Sequence, residues 1–192
     1  MKSTVTAFLT IALLASTVLA QNTSTTKMPT DEISSRGVRI GIVKPMLEYE
    51  AKVDYSGNSF SFKDKLDEAI GFSVGYASLP VQEFGWISNL TYIDIKNQGT
   101  KSGLIRLDGN LAYAFTSFVN VKGGLNLSKF TSDGNMAKLD PSLGFQGGLG
   151  FQVTKNFGVD IGYTQMNQSG TNSDLKLNFK VAGAEIGLNG TF

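Results

Sequence analysis

The sequence contains no cysteine and no histidine. Without cysteine there is no disulfide, no thiolate metal site and no cysteine nucleophile. The lipid-bearing cysteine of a lipoprotein is missing too. Without histidine the commonest general base near neutral pH and the commonest metal ligand are both absent. That excludes serine–histidine triads and histidine-based zinc sites. Proline is scarce, at 4 residues in 192. An excess of either charge is also lacking, since 17 basic residues face 16 acidic ones for a net charge of +1. This balance gives no electrostatic reason to expect a nucleic-acid partner. Beyond the first twenty residues no stretch approaches the roughly 20 apolar residues of a membrane-spanning helix.

What is present begins with a secretory signal. Lys2 supplies a short positive region, an apolar run follows from Val5 to Ala15, and Val18-Leu19-Ala20 presents small or branched residues where a signal peptidase reads. Residues 1–20 are therefore expected to be a signal peptide cleaved after Ala20. Residues 21–36 are rich in Gln, Asn, Ser, Thr and charged side chains. This composition cannot bury a core and is expected to form a flexible periplasmic leader.

From Val38 onward the chain alternates with period two, the signature of strands with two unlike faces. Leu143, Phe145, Gly147, Leu149, Phe151 and Val153 share one face; Gly144, Gln146, Gly148, Gly150 and Gln152 share the other. Phe157, Val159, Ile161 and Tyr163 oppose Gly158, Asp160, Gly162 and Thr164 in the same way. Ile105, Leu107, Leu111, Tyr113 and Phe115 oppose Arg106, Asp108, Asn110, Ala112 and Ala114. A soluble sandwich or lipocalin turns its bulky apolar face inward and a charged face to water. Here the second face is made of glycine, asparagine, glutamine and a few charges. Glycines suit the crowded inside of a narrow barrel, and a bulky apolar face suits lipid. The fold class expected is all-β: a closed antiparallel up-and-down transmembrane β-barrel of about eight strands over residues 37–192, as only helices and closed barrels satisfy their backbone in lipid.

The strands are expected near 37–49, 68–79, 82–96, 102–115, 118–129, 141–153, 157–166 and 175–192. Pro45 interrupts the first and predicts a bulge or an edge-like position there. Leu175, Leu177 and Phe179 differ in parity from Ile186, Leu188 and Phe192, which predicts a second bulge near residues 181–183. Short turns at 80–81, 116–117 and 154–156 alternate with long polar loops at 50–67, 97–101, 130–140 and 167–174, the asymmetry of outer-membrane barrels. Phe84, Trp86, Phe115, Phe118, Phe157 and Phe192 are placed for an aromatic girdle at the short-turn end, with Tyr76, Tyr92 and Tyr163 nearer the outer rim.

The chain ends in Ile186-Gly187-Leu188-Asn189-Gly190-Thr191-Phe192, with apolar residues alternating back from phenylalanine. This resembles the C-terminal signal read by the barrel assembly machinery, carried here by Ile186, Leu188 and Phe192. With the stretch from Phe84 to Tyr92 and the glycine-rich hairpin at 143–163, residues 37–192 resemble the small OmpA/OmpX-type outer-membrane β-barrel family. The resemblance implies residence in a bacterial outer membrane, contact with membrane lipid and lipopolysaccharide, and no enzymatic activity or cofactor.

Strand parity turns Arg39, Arg106, Asp108, Lys122, Asp160 and Glu185 inward. Opposite charges in so narrow a lumen should pair, because unpaired buried charges are costly. They are expected to form a structural network or, alternatively, to line a narrow pore for ions or small solutes. A catalytic pairing of Asp160 with Glu185 lacks a substrate pocket. Asp64, Asp67 and Glu68, beside Lys63 and Lys65, are a weak candidate for a cation bridging lipopolysaccharide, and Asp133-Gly134-Asn135 reads as a turn. The leading function is a structural and surface-interaction role in adhesion or envelope integrity, with loops 50–67 and 130–140 offered to a host or environmental ligand.

Overall fold

The computed structural model describes residues 35–55, 58–66, 68–97, 100–132, 140–154, 156–172 and 175–192. The signal segment, most of the leader, Asp67 and the Asp133-Gly134-Asn135 turn lie outside the described residues. All elements among these residues are strands: β1 (Ser35–Tyr55), β2 (Asn58–Lys65), β3 (Glu68–Leu79), β4 (Phe84–Asn97), β5 (Thr100–Ala114), β6 (Val119–Ser132), β7 (Ser142–Gln152), β8 (Phe157–Asn172) and β9 (Leu175–Thr191).

Neighbouring strands pair antiparallel, and β1 pairs with β9 to close the sheet on itself. β3 pairs with residues 35–43 of β1, and β2 pairs with residues 48–55 on the same side. β2 and β3 are thus one stave broken at Leu66, and the nine strands make an eight-stave barrel. β1 starts at Ser35, so the last two residues assigned to the leader already pair with β3.

The bulge expected at 181–183 needs correction, and of the two readings of Pro45 the edge-like one holds. Residues 44–47 of β1 lie opposite residues 66–70, a stretch one residue longer, so the irregularity belongs to the β2–β3 stave. Pro45 sits where β1 has left β3 and not yet met β2, so its missing N–H breaks no ladder on that side. β9 has no bulge at 181–183. Its register runs unbroken from residue 175 against both β1 and β8.

The parity change in β9 has a different cause. On the short-turn side of the barrel most outward residues are apolar, Lys44 being an exception: Val74, Leu111, Leu125, Leu149, Ile161 and Leu188 are all strongly exposed. Each of the eight staves carries a stretch of this surface on the order of the 9–11 residues with which a tilted strand crosses a bilayer. Beyond it the pattern inverts. Lys52, Lys96, Lys101, Lys129, Lys176 and Lys180 now face outward. Leu47, Ala69, Ile93, Ile95, Leu104, Met166 and Val181 face inward as a buried apolar cluster. The same tube is therefore lipid-facing at one end and water-facing at the other. In water the apolar side chains belong inside, so the apolar residues switch parity while the backbone does not.

The inversion also corrects the loops. Most of 50–67 and 167–174 is strand, and β4 and β5 are separated only by residues 98–99. Polar composition there marks a strand exterior in water, not a loop. Of the four long connections expected, only the one around 130–140 keeps a sizeable gap, between β6 and β7.

The short turns follow from local chemistry. Thr116 Oγ1 accepts hydrogen bonds from the backbone N–H of Phe118 (3.1 Å) and Val119 (3.2 Å), and Thr154 Oγ1 accepts from those of Asn156 (3.3 Å) and Phe157 (3.1 Å). The third turn holds Gln82 at φ 60°, the left-handed region. A non-glycine residue there costs about 1–2 kcal/mol, part of which glycine returns in unfolded-chain entropy. Gln82→Gly is expected to stabilise the barrel by about 0.5–1 kcal/mol, read as a raised urea midpoint of the refolded protein.

The aromatic girdle lies at the short-turn end. Phe84, Phe115, Phe118, Phe157 and Phe192 are exposed there, and Phe84 packs on Tyr113 at 5.0 Å. Tyr76 belongs to this girdle and not to the outer rim, because it stacks on Trp86 at 5.3 Å. Inward glycines let neighbouring strands approach closely: a Cβ on Gly75 would collide with the carbonyl of Ser88 on β4, and one on Gly124 with that of Gly109 on β5.

Candidate functional site

The six charged side chains that parity turned inward meet in the middle of the lumen. Arg39 pairs with Asp160, and Lys122 Nζ reaches the same carboxylate at 2.7 Å. Arg106 Nε lies 2.8 Å from Asp108 Oδ1, and its terminal nitrogens hold Glu185 in a two-pronged contact, the longer arm at 2.9 Å. Three cations thus meet three carboxylates. β5 and β9 stand on opposite walls of the ring, so Arg106–Glu185 spans the whole bore. Arg39, Arg106 and Asp108 are buried, at 5%, 3% and 4% exposure.

Uncharged polar side chains complete the layer. Gln146 Nε2 donates to Asn110 Oδ1 at 3.0 Å, Asn126 Nδ2 to Thr164 Oγ1 at 3.3 Å, and Gln168 Nε2 to Ser128 Oγ at 3.2 Å. The space left among the charges is a cavity of about 70 Å³. That is room for a few waters and no more.

Buried apolar side chains lie on both sides of the charges. Towards the short turns, Ala77, Leu79, Ile87 and Ala112 form a buried cluster. Towards the long hairpins lies the cluster of Leu47, Ala69, Ile93, Ile95, Leu104, Met166 and Val181, against which Tyr49, Leu66, Phe130 and Phe179 pack. Tyr49 stacks on Phe179 at 5.2 Å and Phe130 meets the same ring edge-on at 5.7 Å, roofing the plug. Sequence reasoning missed this plug. The signal was parity: carried without a break along β1, β4 and β9, it sets Leu47, Ile93 and Val181 on the same face as Arg39, Thr91 and Glu185.

An antiparallel barrel of eight staves, with an ion-paired bore and an apolar belt, is the architecture of the small OmpA/OmpX-type barrels. The chain has the fold of a small outer-membrane β-barrel. No protein-family model matches it, and no curated protein matches it by sequence. Among solved structures it is similar to the outer membrane protein OprG of Pseudomonas aeruginosa, at 12% identity and TM-score 0.45 over 83% of this chain and 99% of that one. It is similar to Ail, the attachment invasion locus protein of Yersinia pestis, at 18% identity and TM-score 0.38 over 79% and 98%. It is similar to the outer membrane protease OmpT of Escherichia coli, at 8% identity and TM-score 0.48 over 88% and 100%. Likenesses this distant carry no argument about the barrel's role; its fold rests on its own register and closure.

The remaining candidates are spread over the surface. Ile186, Leu188 and Phe192 face outward on β9, and Phe192 meets Phe157 edge-on at 6.2 Å. Of the acidic group at 64–68, the described Asp64 and Glu68 are not brought together. Asp64 shares the face of Tyr49, and Glu68 reaches across to Lys96 at 3.8 Å. No group among the described residues is arranged to hold a metal ion. Lys63 holds Glu48 at 2.9 Å on the outer face of the β1–β2 hairpin, which keeps the Glu48 carboxyl below its ordinary range.

Proposed function

We propose that the protein is a non-enzymatic barrel of a bacterial outer membrane, delivered by a cleaved signal peptide, that serves envelope integrity and presents its long-hairpin end to surface partners. The observation that carries this reading is the packed bore: a neutral ion-pair layer with only a small cavity lies beneath an apolar plug. A barrel whose interior is packed contributes through its walls and its protruding end. Ile186, Leu188 and Phe192 are the assembly signal in this reading. The β1–β2 hairpin, which fills most of 50–67, and the connection around 130–140 are the surfaces offered to a host or environmental ligand.

The alternative is a narrow pore. The small cavity among Arg39, Arg106, Asp108, Lys122, Asp160 and Glu185 favours it, and the apolar plug above opposes it, because an apolar constriction excludes ions by dewetting. Purified mature protein, refolded and checked by a heat-dependent gel shift, is expected to give no discrete conductance steps in a planar lipid bilayer. Reproducible steps, altered by Glu185→Gln, would establish the pore instead.

A further inference from the structure

A site on the outer wall, distinct from the lumen, is built from β4, β5 and β6 at the boundary between the apolar belt and the water-facing stem. The last outward apolar residues of these strands are Tyr92, Ile105 and Leu127, and the next outward residues include Lys96, Gly103, Lys101 and Lys129. Lys96 and Lys101 stand directly opposite each other in the β4–β5 ladder. Like charges so placed repel and destabilise the pair unless an anion lies between them. Lys129 faces the same side on β6, opposite Ile105. Among the described residues, neither Lys101 nor Lys129 has a carboxylate partner, while Lys96 shares Glu68 at 3.8 Å.

Gly103 makes a cradle at the centre of this group. A Cβ there would lie 2.6 Å from Thr131 Oγ1 and 2.8 Å from the Tyr92 hydroxyl. The bare backbone is what lets the two hydroxyls converge, and neither has a hydrogen-bond partner among the described residues. Asp94 lies directly across from Gly103 and is the opposing charge at the site. Two free hydroxyl donors flanked by three ammonium groups match a phosphate, and the height just above the apolar belt is where lipid headgroups lie.

We propose that Lys96, Lys101, Lys129, Tyr92 and Thr131 bind the phosphate of an anionic lipid headgroup over Gly103. The site rests on the reading of the barrel as membrane-inserted and names the residues through which it meets charged lipid. The test uses the mature protein refolded in phosphatidylcholine nanodiscs doped with phosphatidylglycerol or lipopolysaccharide, with the gel shift establishing insertion. Native mass spectrometry reads the anionic lipid retained after release from the disc. Lys101→Gln with Lys129→Gln is expected to lower retention about tenfold or more. Gly103→Ala is expected to lower it while leaving the gel shift unchanged, and Asp94→Asn to raise it. The control Lys52→Gln with Lys176→Gln, further out on the stem, is expected to change nothing. Equal retention by Gly103→Ala, the lysine pair and wild type would overturn the site. Displacement of the lipid by millimolar inorganic phosphate would overturn its assignment to a headgroup. Failure to insert would instead overturn the membrane reading itself.

Discussion

Arg106→Met is expected to remove about 3–5 kcal/mol of stability, the largest loss of any single lumen substitution. Among the described residues, Arg106 is the only cation in contact with both Asp108 and Glu185, and it reaches them from the middle of β5. Methionine keeps the length of the side chain and deletes the charge. It leaves one carboxylate with 4% and another with 15% side-chain exposure, facing each other without a counter-ion. The apolar plug lies between these carboxylates and the water at the long-hairpin end. Urea unfolding in phosphatidylcholine vesicles, followed by tryptophan fluorescence of Trp86, measures the loss. Arg106→Met/Glu185→Leu, which removes the charges from both ends of the cross-bore contact, is expected to recover part of it; Asp108 still lacks its partner. A loss below about 1 kcal/mol for the single variant would mean that water reaches these carboxylates and that the bore is open.

Leu104→Ala is expected to cost about 2–5 kcal/mol. Leu104 has no exposed surface and sits in the plug with Ile93, Ile95 and Met166. The surrounding strands are held in a closed ring, so the wall cannot collapse into the cavity that the substitution leaves. That places the cost towards the upper part of the range for such truncations. The same unfolding measurement applies. Leu111→Ala is the comparison: Leu111 faces lipid at 61% exposure, and the gap it leaves can be filled by acyl chains. If the two variants lose equal stability, the outer part of the tube has no packed core. The inversion of polarity along the barrel would then be wrong.

Both expectations come from the same physical fact: one continuous sheet passes through two solvents. Within lipid, the interior is the only place for polar groups. Arg39, Arg106, Asp108, Lys122, Asp160 and Glu185 therefore point inward, and simple alternation along single strands sufficed to find them. The eight-stave closure was legible for the same reason. β5 from Ile105 onward, β7 and the first half of β8 lie at membrane depth, where period two reads without interruption. The pairing of specific charges was not legible. Which cation meets which carboxylate depends on the stagger of strands far apart in sequence, such as Arg106 on β5 and Glu185 on β9.

The sequence by itself determined the all-β class, the inward set of charges, the girdle of Phe84, Trp86, Phe157 and Phe192, and the exclusion of cysteine and histidine chemistry. Only the tertiary structure decided where the membrane ends. Polar residues at 50–55, 58–65 and 167–172 carry the composition of loops, and Leu175, Leu177 and Phe179 carry the parity of a slipped strand. Whether such residues are loop or strand, slipped or in phase, depends on the solvent that meets the outer wall at that height. Parity records which face a side chain takes, but not whether lipid or water lies on the other side of it. The plug of Leu47, Ile93, Leu104 and Val181 closes the bore because the ring carries those strands out of lipid and into water, where an apolar interior is the stable one.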